Sequence, residues 1–129
     1  MQDLTYDTII PELNKIFPDF ANDNDLEKLT AGLPGVHLGF FISYAREHWH
    51  DRLLHDRLIL FFERLCESED ETTRITFQDF ALDFQLHFEE HDININSFLE
   101  KLSPKTKLEF EAALNFWETA NKKYKADGS

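Results

Sequence analysis

Apolar residues recur at spacings of three and four almost throughout this chain, the signature of amphipathic α-helices. In the first segment Ile9, Ile10, Leu13, Ile16 and Phe17 keep that spacing. Asp7 or Thr8 is placed to cap this helix, and Pro11 falls within its first turn, where a missing N–H is tolerated. Pro18 ends it. Asn22, Asp23 or Asn24 then starts a short second helix through Leu26 and Leu29. Gly32-Leu33-Pro34-Gly35 closes that helix and reads as the clearest loop in the chain.

From Val36 to Glu67 the helical pattern returns in two stripes, Leu38, Phe41, Ala45 and Trp49, then Leu54, Leu58, Phe61, Phe62 and Leu65. They do not join smoothly around His50-Asp51-Arg52. The segment is therefore either two helices, with Asp51 capping the second, or one long bent helix. The run Leu58-Ile59-Leu60-Phe61-Phe62 is apolar on every side, which predicts a central, buried helix. Ser68-Glu69-Asp70-Glu71 reads as a cap followed by acids in a first turn, where the helix dipole favours them. The helix that follows runs to about Glu90 with Phe77, Phe80, Ala81, Phe84 and Phe88 on one stripe. A short helix around Ile95, Phe98, Leu99 and Leu102 comes next. Ser103-Pro104 then signals the start of a last helix, with Phe110, Ala113, Leu114, Trp117 and Tyr124 on its stripe. Arg74-Ile75-Thr76-Phe77 has some strand character, but its neighbours favour helix.

The expected fold is all-α, a single-domain bundle of five to seven helices over residues 1–124. The short connections suggest stacked antiparallel helical hairpins. Residues 125–129 form an expected disordered tail. Length and composition agree: 129 residues make one domain, and 42% hydrophobic content supplies one core. Phe accounts for 13 residues, and a ring without a polar handle belongs mostly inside. One cysteine, Cys66, allows no internal disulfide and disfavours a secreted disulfide scaffold. The acidic N-terminal stretch does not resemble a leader peptide, and no run reaches the roughly 18 apolar residues of a membrane span. A cytoplasmic protein is expected.

Charge changes the picture more than composition does. The net charge is −12, and residues 65–100 alone carry −9: ten acids against the single base Arg74. That segment also holds five of the phenylalanines, so it can fold inward and still present an acidic face. Such a face repels nucleic acid and anionic membrane and attracts a basic protein. Arg46, Arg52, Arg57 and Arg64 alternate with Glu47, Asp51, Asp56 and Glu63, which suggests pairing within and between helices rather than a nucleic-acid footprint.

Candidate chemistry is thin. His48, Asp51 and His55 share a face only if the helix is continuous through residue 51. His87-Phe88-Glu89-Glu90-His91 matches the H-x-x-E-H string of inverted zinc metallopeptidases, but over five residues only. Such enzymes also need a remote acidic ligand and a large cleft. Asp83 and His87, four apart, more simply share a surface hydrogen bond. Cys66 beside Glu67 reads as a small buried side chain, since acidic neighbours weaken a thiol nucleophile. No glycine-rich phosphate cradle is present. Neither a catalytic residue, a metal site nor a cofactor is expected. Trp49, Trp117 and Phe40 are candidate interface anchors.

What remains is a small, acidic, helical chain without a catalytic constellation. In size, charge and helicity it resembles bacterial immunity proteins, although no diagnostic motif carries the resemblance. That resemblance implies a non-enzymatic inhibitor that blocks a basic toxin such as a nuclease. The expected partner-binding residues are Glu69, Asp70, Glu71, Asp79, Asp83, Glu89, Glu90 and Asp92. The alternative is a helical scaffold, HEAT-like or self-associating. A metal-dependent enzyme using His87, Glu90 and His91 ranks behind both. Oligomeric state is not legible from the sequence.

Overall fold

A computed structural model gives an all-α single domain, as the periodicity predicts. It describes residues 4–21 and 34–128, with side chains described for 4–20 and 35–120. A 3-10 turn, Tyr6–Thr8, leads into α1 (Ile9–Ile16) and α2 (Pro18–Ala21). Then come α3 (Pro34–Glu47), α4 (Arg52–Glu67), α5 (Glu71–Glu90), α6 (Asn96–Leu99) and α7 (Pro104–Gly128). Pro18 both ends α1 and opens α2, which suits a residue that has no N–H to give. The helix expected from Asn22 through Leu29 lies outside the described residues, as do Gly32 and Leu33. Pro34 and Gly35 are not loop but the first turn of α3. The backbone of α7 runs through 125–128, most of the stretch expected as a tail.

Local chemistry sets the boundaries. Residues 36–67 form two helices, because Asp51 accepts the Leu53 N–H at 3.0 Å and caps α4. At the start of α5 the cap is Asp70 rather than Ser68. Asp70 accepts the Thr73 N–H at 3.1 Å and the Thr73 hydroxyl at 2.7 Å. Ser68 is buried instead, and its hydroxyl donates to the Leu4 carbonyl, tying the N-terminal segment to the α4–α5 corner. The end of α5 is a Schellman closure. Ile93 N–H reaches the Phe88 carbonyl at 2.9 Å and Asp92 N–H reaches the Glu89 carbonyl at 3.1 Å. Asp92 takes the left-handed conformation this closure needs, with φ 57°. Ser103 accepts the Thr106 N–H at 3.3 Å and caps α7. Glu63 of α4 reaches the same place, accepting from Ser103 N–H, the Ser103 hydroxyl and the Thr106 hydroxyl at 2.7, 2.8 and 2.8 Å.

The helix at the centre is α5, which packs against α3, α4, α7 and the N-terminal turn. The sequence pointed to α4. That helix turns Leu53 and Leu60 outward, 62% and 50% exposed, while Leu58, Phe61 and Phe62 go inward. The hairpin stack also differs from expectation. Chain neighbours α3 and α4 are not principal partners: α3 packs on α5 and α1, and α7 packs on both α5 and α4. The core is a phenylalanine lattice in which Phe62 of α4 meets Phe80 of α5 stacked at 4.9 Å, and Phe98 and Phe110 at 5.9 and 5.4 Å. Every phenylalanine is buried except Phe40 and Phe116.

Candidate functional site

The outer face of α5 carries the acids. At about 100° per residue, Asp79, Asp83 and Glu90 fall within about 40° of one another around the helix axis. Glu71 and Glu89 both lie about 80° to one side of Asp79. Asp79 and Asp83, one turn apart, are exposed on α5. Partial desolvation of the Asp83 carboxyl against the helix surface, then the neighbouring Asp79, push it above the usual carboxylate range even though the residue is exposed. Along the axis the acids divide. Glu69, Asp70 and Glu71 gather at the N-terminus of α5, and Glu89, Glu90 and Asp92 gather at its C-terminus, about 30 Å away for a helix of this length. Asp79, Asp83 and Glu90 therefore form one line along the helix, and the other five lie at its two ends rather than in one compact cluster.

The two ends have different physical explanations. Acids at the positive end stabilise their own helix. Asp70 is the cap, and its bond from the Thr73 hydroxyl holds its carboxyl below the ordinary range. At the other end Glu89, Glu90 and Asp92 crowd the negative pole of the dipole, where carboxylates cost stability. Among the described residues no Lys or Arg forms an ion pair with any of the eight. Arg64 and Glu12, 3.3 Å apart, form the ion pair present there. The arginine–acid pairing expected across residues 46–64 is thus largely replaced by caps and cross-helix hydrogen bonds.

Two grooves border this face. Between α3 and α5 a groove of about 260 Å³ is floored by Leu38, Ile42 and Phe80 and edged by Asp79 and Asp83. Gly35 and Gly39 line its α3 wall, and a Cβ on either would meet nothing within 4 Å. Between α5 and α7 lies a larger groove of about 520 Å³, lined by Leu82, Ala113, Phe116 and Trp117 and edged by Asp79 and Glu109. Asp79 is the crest between the two. The second groove escapes a reading of the sequence that follows only the buried stripe of α7. Its signal is the off-stripe series Ala112, Phe116 and Ala120, each four residues apart. Phe116 is 78% exposed and Leu108 66%.

Of the expected anchors, Phe40 is exposed and Trp117 lines the α5–α7 groove at 37% exposure. Trp49 is built into the core edge instead, against Phe88 and Phe98 with centroids at 4.7 and 5.4 Å, and its carbonyl accepts from His55 Nε2 at 2.7 Å. His48, His55 and His87 have structural roles. His48 bonds the Tyr44 carbonyl through Nδ1 at 2.9 Å, and the break at Asp51 separates it from His55. His87 Nε2 accepts from Arg46 Nε at 3.0 Å across the α3–α5 contact. Burial first, then the His91 ring and the Arg46 charge, lower its pKa. A neutral His87 with Nε2 occupied is not presenting that lone pair to a metal. Among the described residues no group of three His, Cys, Asp or Glu side chains is arranged to hold one. Cys66 is buried, and burial pushes its thiol pKa up, which disfavours a thiolate. Among those residues no helix is long and apolar enough to cross a membrane. No family model matches the chain, and no match to it was found among curated proteins or solved structures.

Proposed function

We propose that this chain is a non-enzymatic, acidic protein-binding module whose partner is a basic protein. The specific form of the reading is an immunity-type inhibitor that covers the phosphate-binding surface of a toxin such as a nuclease. The observation that carries it is the set Glu89, Glu90 and Asp92 at the C-terminal pole of α5, where Glu90 continues the line of Asp79 and Asp83. Among the described residues these carboxylates make no ion pair, and the dipole opposes Glu89 and Glu90, so folding alone does not account for that pair. A partner's lysines and arginines would offset that cost on binding and would be drawn in by the field of a chain with net charge −12.

The test is a capture experiment from a lysate of the source cells at low salt, eluted by a salt step. Wild-type protein is run beside an Asp79→Asn/Asp83→Asn/Glu90→Gln variant. The expected result is a basic protein released by salt and depleted on the variant, with an activity that the wild-type chain suppresses. Equal recovery on both, or release that ignores salt, overturns the reading.

A further inference from the structure

The α5–α7 groove has a different chemistry from the acid line beside it. Its walls are Leu82, Ala113 and the rings of Phe116 and Trp117, and its rim carries Asp79 and Glu109. Phe116 at 78% exposure is a large apolar surface that folding leaves in water. Exposed apolar patches with a polar rim mark interaction sites, and the Ala112 and Ala113 positions allow close approach of another backbone. We infer that this groove seats a bulky apolar side chain presented by a basic amphipathic helix of the partner. This inference rests on the acidic-module reading and names where that partner's apolar anchor goes.

Charge selects this occupant. A helix with Lys or Arg flanking its apolar anchor would meet Asp79 on one side of the groove and Glu109 on the other. A second copy of this chain is disfavoured on the same ground. Each copy would bring Glu109 beside its own Phe116 and adds a net charge of −12. Helix-in-groove docking further suits a cleft walled by two packed helices, since an amphipathic helix presents its anchors along one face.

The experiment uses the full chain and three synthetic helical peptides of equal length. The first has a Leu/Trp stripe flanked by lysines, the second has the same stripe flanked by glutamates, and the third has the first peptide's composition in scrambled order. Binding is followed by anisotropy of a labelled peptide and by amide shift mapping. The lysine-flanked helix is expected to bind at least about tenfold tighter than either control, with shifts centred on Leu82, Ala113 and Trp117. Phe116→Ser should weaken it about fivefold or more at unchanged melting temperature, because that ring is exposed. Ala112→Gln, also at an exposed position, serves as a second variant and should weaken binding by obstructing approach.

Equal binding of the scrambled lysine peptide, sensitive to Asp79→Asn but not to Phe116→Ser, overturns the groove while leaving the acidic face standing. Equal binding of the lysine and glutamate helices overturns the basic character of the occupant, and with it the acidic-module reading at this site. Sedimentation showing a dimer that Phe116→Ser dissolves overturns the inference in favour of self-association.

Discussion

Phe62 joins four helices at one side chain. From α4 it touches Phe77, Phe80 and Phe84 of α5, Phe98 of α6 and Phe110 of α7. Replacing it by Ala removes that junction and leaves a cavity among rings that cannot all collapse inward. Phe62→Ala is expected to destabilise the fold by about 3–5 kcal/mol, a large part of a typical domain stability, and urea unfolding measures it directly. His87 is the residue at which pH enters. Its pKa is lowered in the fold, so between its ordinary value near 6.5 and that lowered value the unfolded chain takes up a proton that the native state refuses. Its stability contribution is therefore present above about 6.5 and is lost as pH falls through that window. Protonation also removes the lone pair that accepts from Arg46 Nε. His87→Gln keeps an acceptor but does not titrate. The difference in urea midpoint between wild type and His87→Gln should shift against the wild type on acidification; a difference that stays constant with pH rejects this assignment.

At the scale of the helix, ends decide more than middles. The N-terminus of α7 is held by a carboxylate from another helix: Glu63 accepts from both groups of Ser103 and from the Thr106 hydroxyl. One side chain thus fixes where α7 starts and how it docks on α4. Glu63→Ala leaves those donors to water and should cost about 1–3 kcal/mol, with amide exchange rising first around residues 103–107. A uniform rise across the chain would instead indicate global loosening. Asp92 shows the opposite case. Its left-handed φ and the Schellman bonds around it end α5, so one acid of the expected binding set also has a backbone role. The caps were partly legible in the sequence. Asp51 and Ser103 follow from residue type and position, whereas the choice of Asp70 over Ser68 depended on Leu4 arriving from far along the chain to take the serine hydroxyl.

For the whole molecule the field matters more than any one pair. With net charge −12, association with a cationic partner should be fast and salt-dependent. Raising ionic strength from about 0.01 M, where the Debye length is about 30 Å, to about 0.1 M, where it is about 10 Å, should slow association with the lysine-flanked peptide roughly tenfold. Stopped-flow mixing measures this, and dissociation should change much less. A rate that ignores salt would mean that the field does not reach the binding face. The acids extend along about 30 Å of α5, so steering acts over a face rather than a point, and the adjoining groove supplies the close contact that charge alone cannot.

The sequence by itself determined that the chain is helical, roughly where most helices begin and end, which phenylalanines go inside, and that residues 65–100 are acidic. Those properties are local: period, cap and composition are written in neighbours along the chain. Only the tertiary structure decided that α5 rather than α4 is central. An all-round apolar run such as Leu58–Phe62 does not say which of its sides a neighbour will cover. The tertiary structure also left the acids of α5 in a line through Asp79, Asp83 and Glu90 with clusters at both ends, and engaged His87 with Arg46. It left Phe116 and Trp117 lining an open groove, because a stripe marks a face only once the helices that cover it, or leave it uncovered, are in place.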